Sequence, residues 1–188
     1  MIKRRMNNKP RLALVSPSKN AYSETFIQAH KRLLDAKVFF YFGGLLPKNL
    51  EGRYSLISTK RRIRNGIKRR LYRRFKSGLE YALYESFKQE EIQVVLAEYG
   101  STGSTILNVC KALNLPLIVH FHGYDASREQ ILDRYNGYKE LFDYAFRVVV
   151  VSKAMYNRLS ILGCPQYKLV LNVYGPDPSF EEVVPKFT

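Results

Sequence analysis

Six short apolar runs, each closed by a turn residue or polar stop and separated from the next by a helical pattern, constrain this chain more than any other feature. Arg11-Leu12-Ala13-Leu14-Val15 breaks at Ser16-Pro17-Ser18, and Lys37-Val38-Phe39-Phe40-Tyr41-Phe42 stops at Gly43-Gly44. Ile92 to Ala97, Pro116 to His120, Arg147 to Val151 and Lys168 to Val173 follow in the same style. Runs of this length, rich in β-branched and aromatic residues, read as strands buried on both faces. Between them, Ser23 caps a helix carrying Phe26, Ile27, Leu33 and Leu34 on its apolar face. Further helical patterns cover Thr59 to about Lys88, Ser104 to Leu115, Glu129 to Ala145 and Lys153 to Leu162, while residues 45–58 read as irregular. Helices between successive strands leave no room for hairpins. The expected class is therefore α/β, a doubly wound, mostly parallel sheet with right-handed crossovers and helices on both faces.

With 188 residues, 46% of them hydrophobic, the chain has the material for one core. No apolar run approaches the roughly 20 residues that a spanning helix needs, and the start lacks the apolar centre of a signal peptide, so a cytoplasmic location is expected. Cys110 and Cys164 are expected to be free thiols there. The net charge of +15 is unevenly placed: residues 1–79 carry +18 and residues 80–188 carry −3. That asymmetry points to an anionic partner for the first part, either lipid headgroups or nucleic acid.

In open parallel sheets, ligands bind beyond the carboxyl ends of the strands, which directs attention to the polar residues at each strand exit. His120-Phe121-His122-Gly123-Tyr124-Asp125 is the most informative exit. Gly123 allows close approach of a ligand to the backbone, and the His122 imidazole can exchange hydrogen bonds with a sugar hydroxyl or a phosphate near neutral pH. The plainer reading is a strand-end histidine bonded to the next loop. His120 and His122 share a strand face and with Asp125 imitate a metal site, but a catalytic zinc generally has three protein ligands, and no metal is assigned. His30, among Phe26, Ile27, Leu33 and Leu34, reads as a core histidine. Glu98-Tyr99-Gly100-Ser101-Thr102-Gly103 places two glycines at a strand-to-helix turn, where free N–H groups attract an anion or a hydroxylated ligand. It matches neither the P-loop nor the three-glycine dinucleotide fingerprint. Ser23, Glu24 and Thr25 form a third exit, for which simple capping is the competing account.

Lys60 to Lys76 holds ten basic residues, and Ile63, Ile67, Leu71, Phe75 and Leu79 recur every fourth position. Such a helix is able to lie on an anionic membrane through Arg61, Arg62, Arg64, Lys68, Arg69 and Arg73. A core-packed helix with a solvated basic face is the alternative; for nucleic acid, no readout motif accompanies it.

Taken together, Ser23-Glu24-Thr25-Phe26-Ile27, Tyr99-Gly100-Ser101-Thr102-Gly103 and Leu113 through Asp125 resemble the N-terminal half of retaining glycosyltransferases of family four. Val149-Val150-Val151-Ser152-Lys153-Ala154-Met155, Leu162-Gly163-Cys164-Pro165 and Tyr174-Gly175-Pro176-Asp177 continue the resemblance. Such enzymes have the GT-B fold, two Rossmann-like domains with transfer in the cleft between them. The resemblance implies that residues 1–175 are the acceptor-side domain, that residues 176–188 open an interdomain linker, and that a donor domain lies outside this chain, leaving these residues inactive alone. It implies a hexosyltransferase that moves a sugar, with retention, from a nucleotide sugar to a lipid-linked glycan or cell-surface polysaccharide at the inner membrane face, without a resident cofactor. It places catalytic His122 beside the donor sugar, and makes Ser23, Glu24, Thr25, Tyr99, Gly100, Ser101, Gly103, Gly123 and Asp125 acceptor or cleft lining. Pro17-Ser18-Lys19-Asn20-Ala21-Tyr22 departs from the family by replacing its glycine-rich first loop. The rival from another class is a non-catalytic module that docks through residues 60–79 on anionic membrane or nucleic acid.

Overall fold

The computed structural model describes residues 9–19, 25–58 and 75–175. In chain order they form β1 (Arg11–Val15), α1 (Thr25–Leu33), β2 (Lys37–Phe42), β3 (Asn49–Leu50), β4 (Tyr54–Ser55), α2 (Gly78–Gln89), β5 (Val94–Glu98) and α3 (Gly100–Leu113). β6 (Leu117–His120), α4 (Gly123–Ser127), α5 (Glu129–Arg134), α6 (Lys139–Tyr144), β7 (Arg147–Val150), α7 (Lys153–Ile161) and β8 (Leu169–Leu171) follow. They build one eight-stranded sheet in the order β4-β3-β2-β1-β5-β6-β7-β8. The six strands from β2 to β8 in that order run parallel. The reversal of strand order at β1 puts the exits of β1 and β5 side by side, the switch point at which α/β sheets bind ligands.

Alternation along the strands sorts the core onto two faces. Ala13, Val15, Phe39, Tyr41, Val95, Ala97, Leu117, Val119, Val148 and Val150 belong to the larger core, which also takes in Leu83, Phe87, Ile106, Val109, Leu141, Phe142 and Leu159 from the helices. On the opposite face Leu12, Leu14, Phe40 and Leu96 pack with Ile27 of α1. Phe75 is buried and Leu79 packs against the larger core, so the described end of the every-fourth-residue stripe is core packing. The rest of that stripe, with Arg61, Arg62, Arg64, Lys68, Arg69 and Arg73, lies outside the described residues.

Three expectations need correction. Residues 45–58 are not wholly irregular, because β3 and β4 pair antiparallel around Gly52, whose φ of +68° makes the tight turn. The helix expected to run through to Lys88 starts afresh at Gly78, where the Ser77 hydroxyl accepts from the Glu80 N–H at 3.1 Å and ends any continuous pattern. The helix expected from Glu129 to Ala145 breaks at Gly137 and Tyr138, both left-handed with φ near 60°. That break turns the Tyr138 hydroxyl onto the carbonyl of Asp125 at 3.1 Å.

Candidate functional site

The site grows from the facing ends of β5 and β6. Glu98 and His120 are register partners at the last rung of that pair, and the Tyr99 N–H donates to the His120 carbonyl at 2.9 Å one step beyond. Side chains that leave the sheet here on the α1 face converge. Glu98 has no solvent exposure, yet three imidazoles surround its carboxylate. His30 Nδ1, from α1, donates to Oε1 at 2.6 Å, and His122 Nε2 donates to Oε2 at 3.0 Å. His120 Nδ1 approaches the same Oε2 at 3.4 Å. Burial alone would raise the Glu98 carboxyl, but the hydrogen bonds from His120, His122 and His30 outweigh it and hold the group well below the usual carboxylate range. The centre of the site is therefore an anion clothed in N–H groups.

His122 sits just past β6 as the N-cap of α4, with extended backbone. Its ring is enclosed by aromatics: Phe26 stacks on it at 4.2 Å, and Tyr99 and His120 each stand 4.5 Å away. The Tyr174 hydroxyl meets Nδ1 at 2.7 Å, while the Tyr174 ring lies nearly parallel to Phe26 at 5.4 Å. Burial lowers the His122 pKa below its ordinary value, with the Glu98 hydrogen bond opposing and the neighbouring His120 reinforcing the shift. At neutral pH the ring is uncharged, able to accept at one nitrogen and donate at the other.

Asp125, expected among the cleft-lining residues, holds the loop between the two strand exits. Fully buried, its two oxygens accept from the Gly100 N–H at 2.6 Å and the His122 N–H at 2.8 Å, tying the β5 exit to the β6 exit. Burial pushes its carboxyl up to about 7, against the pull of those two amides. The Gly100 amide, expected to be free for an anion, is thus already engaged. Gly100 and Gly103 are buried beneath α4 and α6, against Phe121 and Tyr138 and against Val119 and Leu141 respectively. Ser101 is half-buried, Gly123 and Thr25 are exposed, and Ser23 and Glu24 lie outside the described residues. Tyr99 takes a left-handed backbone, φ 75°, a conformation costly for a bulky residue, and holds its ring against His122.

Sequence reasoning missed two members. His30, expected to be an apolar-face histidine, reaches Glu98 instead, and Glu98, named only as the start of a loop, is the hub. The available signal was an acid closing an otherwise apolar strand, a position that a buried sheet tolerates only with partners. The metal arrangement weighed from His120, His122 and Asp125 does not assemble, because Asp125 is bound to backbone amides. Among the described residues, His30, Glu98 and His120 do bring potential ligand atoms within 4.8 Å of one another. Their closest pair, at 2.6 Å, is in hydrogen-bond contact, whereas donors about 2.0 Å from a tetrahedral zinc stand roughly 3.3 Å apart. The arrangement fits shared protons, and a metal ion would have to spread it.

The family model for Glycosyltransferase Family 4 matches residues 27–172. No curated protein matches the sequence. Among solved structures, a UDP-N-acetylglucosamine 2-epimerase from Rickettsia bellii superimposes with a TM-score of 0.56 at 9% identity, over 86% of this chain and 44% of that one. The likeness supports the Rossmann-like α/β fold, and the chain spans less than half the length of that neighbour.

Proposed function

Since the chain belongs to Glycosyltransferase Family 4, we propose that it is the acceptor-side domain of an enzyme transferring a hexosyl group from a nucleotide sugar to a lipid-linked glycan or cell-surface polysaccharide, with retention at the anomeric carbon. The observation that carries this reading is the His122 site: an uncharged imidazole, walled by aromatic rings at a strand exit, with a hydroxyl already bonded to it. Pyranoses present the same two features, hydroxyls and an apolar C–H face, so imidazole and aromatic ring together suit a sugar.

In the reaction proposed, the bond between the anomeric carbon and the donor phosphate oxygen breaks, a bond to the acceptor oxygen forms, and the acceptor proton leaves with the diphosphate. His122 acts as a hydrogen-bonding partner that orients the sugar, and the chain's contribution is placement and exclusion of water rather than covalent chemistry. The nucleotide sugar is a co-substrate in this scheme, bound chiefly by a second domain, and no resident cofactor is assigned. Residues 1–79, with a charge of +18, supply an anionic-membrane contact at the inner face, near a lipid-linked acceptor. Among the described residues no helix is long and apolar enough to cross a membrane.

The test is transfer of radiolabelled sugar from a panel of nucleotide sugars to membrane lipid extract, using the longest reading frame that contains this chain. We expect incorporation with one donor and its loss, by at least a hundredfold, in His122→Ala. No incorporation with any donor, alongside tight binding to anionic vesicles, would instead favour the docking module.

A further inference from the structure

We infer that Glu98 is a positioning residue that fixes the polarity of the His122 ring, leaving a bare Nδ1 as hydrogen-bond acceptor on the substrate side, and that the Tyr174 hydroxyl is a built-in occupant of that acceptor, standing where a substrate hydroxyl would donate. The inference deepens the proposed function and rests on it for the identity of the substrate, but the ring polarity follows from hydrogen-bond geometry around an ionised Glu98 and an uncharged His122, with no substrate needed.

An ionised carboxylate only accepts, so every nitrogen within hydrogen-bond reach of Glu98 must carry a proton. Nε2 of His122 therefore donates to Oε2. In an uncharged ring the other nitrogen is bare, and the phenol at 2.7 Å from Nδ1 must be the donor. Tyr174 behaves as an unionised phenol, since burial raises its pKa and the Glu98 and Asp125 charges raise it further.

His120 satisfies the same rule by the opposite route. Its Nδ1 is the atom turned to Glu98 Oε2, and its Nε2 is buried with no hydrogen-bond partner. With a single ring proton, only its placement on Nδ1 keeps a donor on the Glu98 carboxylate, since Nε2 faces no acceptor. His120 therefore carries its proton on Nδ1 and His122 on Nε2: two histidines, two residues apart, are held in opposite tautomers by one carboxylate oxygen. His30 adds a third donor through Nδ1 to the other oxygen. With three N–H groups directed at it, the carboxylate is fixed in orientation, and so is the face that His122 presents outward.

Tyr174 is suited to give way. It lies past β8 in residues 172–175, which have no regular secondary structure, and it is 44% exposed. Its ring stacks over Phe26 as a sugar's apolar face would.

Nitrogen-15 NMR of the histidine rings in the intact 188-residue chain tests this without any transferase assay. In the wild type at neutral pH we expect His122 to show a protonated Nε2 and an unprotonated Nδ1, and His120 the reverse. Tyr174→Phe should leave both tautomers in place and shift the His122 Nδ1 resonance alone, as its hydrogen bond is lost. Glu98→Gln should move the His122 signals towards an average of the two tautomers, and Glu98→Asp should restore part of the pattern. Should Glu98→Gln fail to fold, the wild-type and Tyr174→Phe spectra still decide. Like tautomers in His120 and His122, an unmoved Nδ1 in Tyr174→Phe, or one equivalent of zinc displacing the ring protons of His30 and His120, would overturn the inference. Absence of sugar transfer from any donor, with the tautomer pattern intact, would sink the functional reading and leave the ring polarity standing.

Discussion

Three buried groups at the strand exits, Glu98, His122 and Asp125, set the pH behaviour of this fold, and Glu98 is the one the others face. Its carboxyl in the fold is held below the ordinary value of 4.5 despite burial, by N–H groups from His30 on α1 and from His120 and His122 on and after β6. A depressed acid stabilises the fold fully above its unfolded pKa, and that stabilisation is lost as pH falls through the folded one. His122 works in the same direction: with its pKa lowered by burial, the unfolded ring takes up a proton first as pH drops below 6.5. Asp125, pushed up to about 7 by burial, opposes them by returning stability between pH 7 and its unfolded 3.8. Comparing wild type with Glu98→Gln reads the Glu98 contribution together with its pull on the other two. Denaturant unfolding should show a penalty of about 3–5 kcal/mol above pH 4.5, the usual cost of removing one partner from a buried charged cluster, shrinking steadily below it. A penalty independent of pH between 2 and 7 would mean that Glu98 is not ionised in the fold.

At the scale of elements, the path of α3 is set by its first turn, where helix and β6 exit come so close that no side chain fits between them. A Cβ at Gly100 would overlap the Phe121 ring and crowd Tyr138, both fully buried. Gly100→Ala should therefore cost about 1–3 kcal/mol in denaturant unfolding and weaken the Gly100 N–H bond to Asp125, whereas Gly123→Ala, with nothing within 4 Å, should be nearly silent in stability. Elements were also the level at which the sequence was most legible. β1 and β2 coincide with the apolar runs residue for residue, because strands buried on both faces leave an uninterrupted apolar signature. The two-residue β3 and β4 left none, since a pair that short carries no periodicity. The break at Gly137 and Tyr138 was hidden because apolar spacing survives on either side of it. His122 and the two strand exits were readable from position, but the hub was not: Glu98 and His30 are 68 residues apart, and their meeting depends on how α1 lies across the sheet.

Over the molecule as a whole, the sheet is covered unequally. Leu117, Val119, Val148 and Val150 have no exposure beneath the helices of the larger core, whereas on the α1 side cover thins away from β1, from Leu96 at 7% to Val170 at 39%. Apolar side chains on these two faces should thus differ sharply in worth. Leu117→Ala should cost about 2–5 kcal/mol, while Val170→Thr should stay within about 0.5 kcal/mol, both measured by thermal or denaturant unfolding. A large cost at Val170 would show that the thin side is covered in solution. The charge division follows a different line, between residues 1–79 and the remainder, so vesicle binding by the chain should fall steeply with added salt while stability does not.

The histidine cluster draws on α1, β5, β6 and the stretch after β8, parts far apart in the chain that the sheet order brings to one end. It is thereby a seal on assembly. Until β5 and β6 have paired, Glu98 would stand without the imidazoles of His120 and His122, and Tyr174 would reach His122 only once β8 is in place. The polar centre and its Tyr174 cover thus report two separate stages in the completion of one sheet.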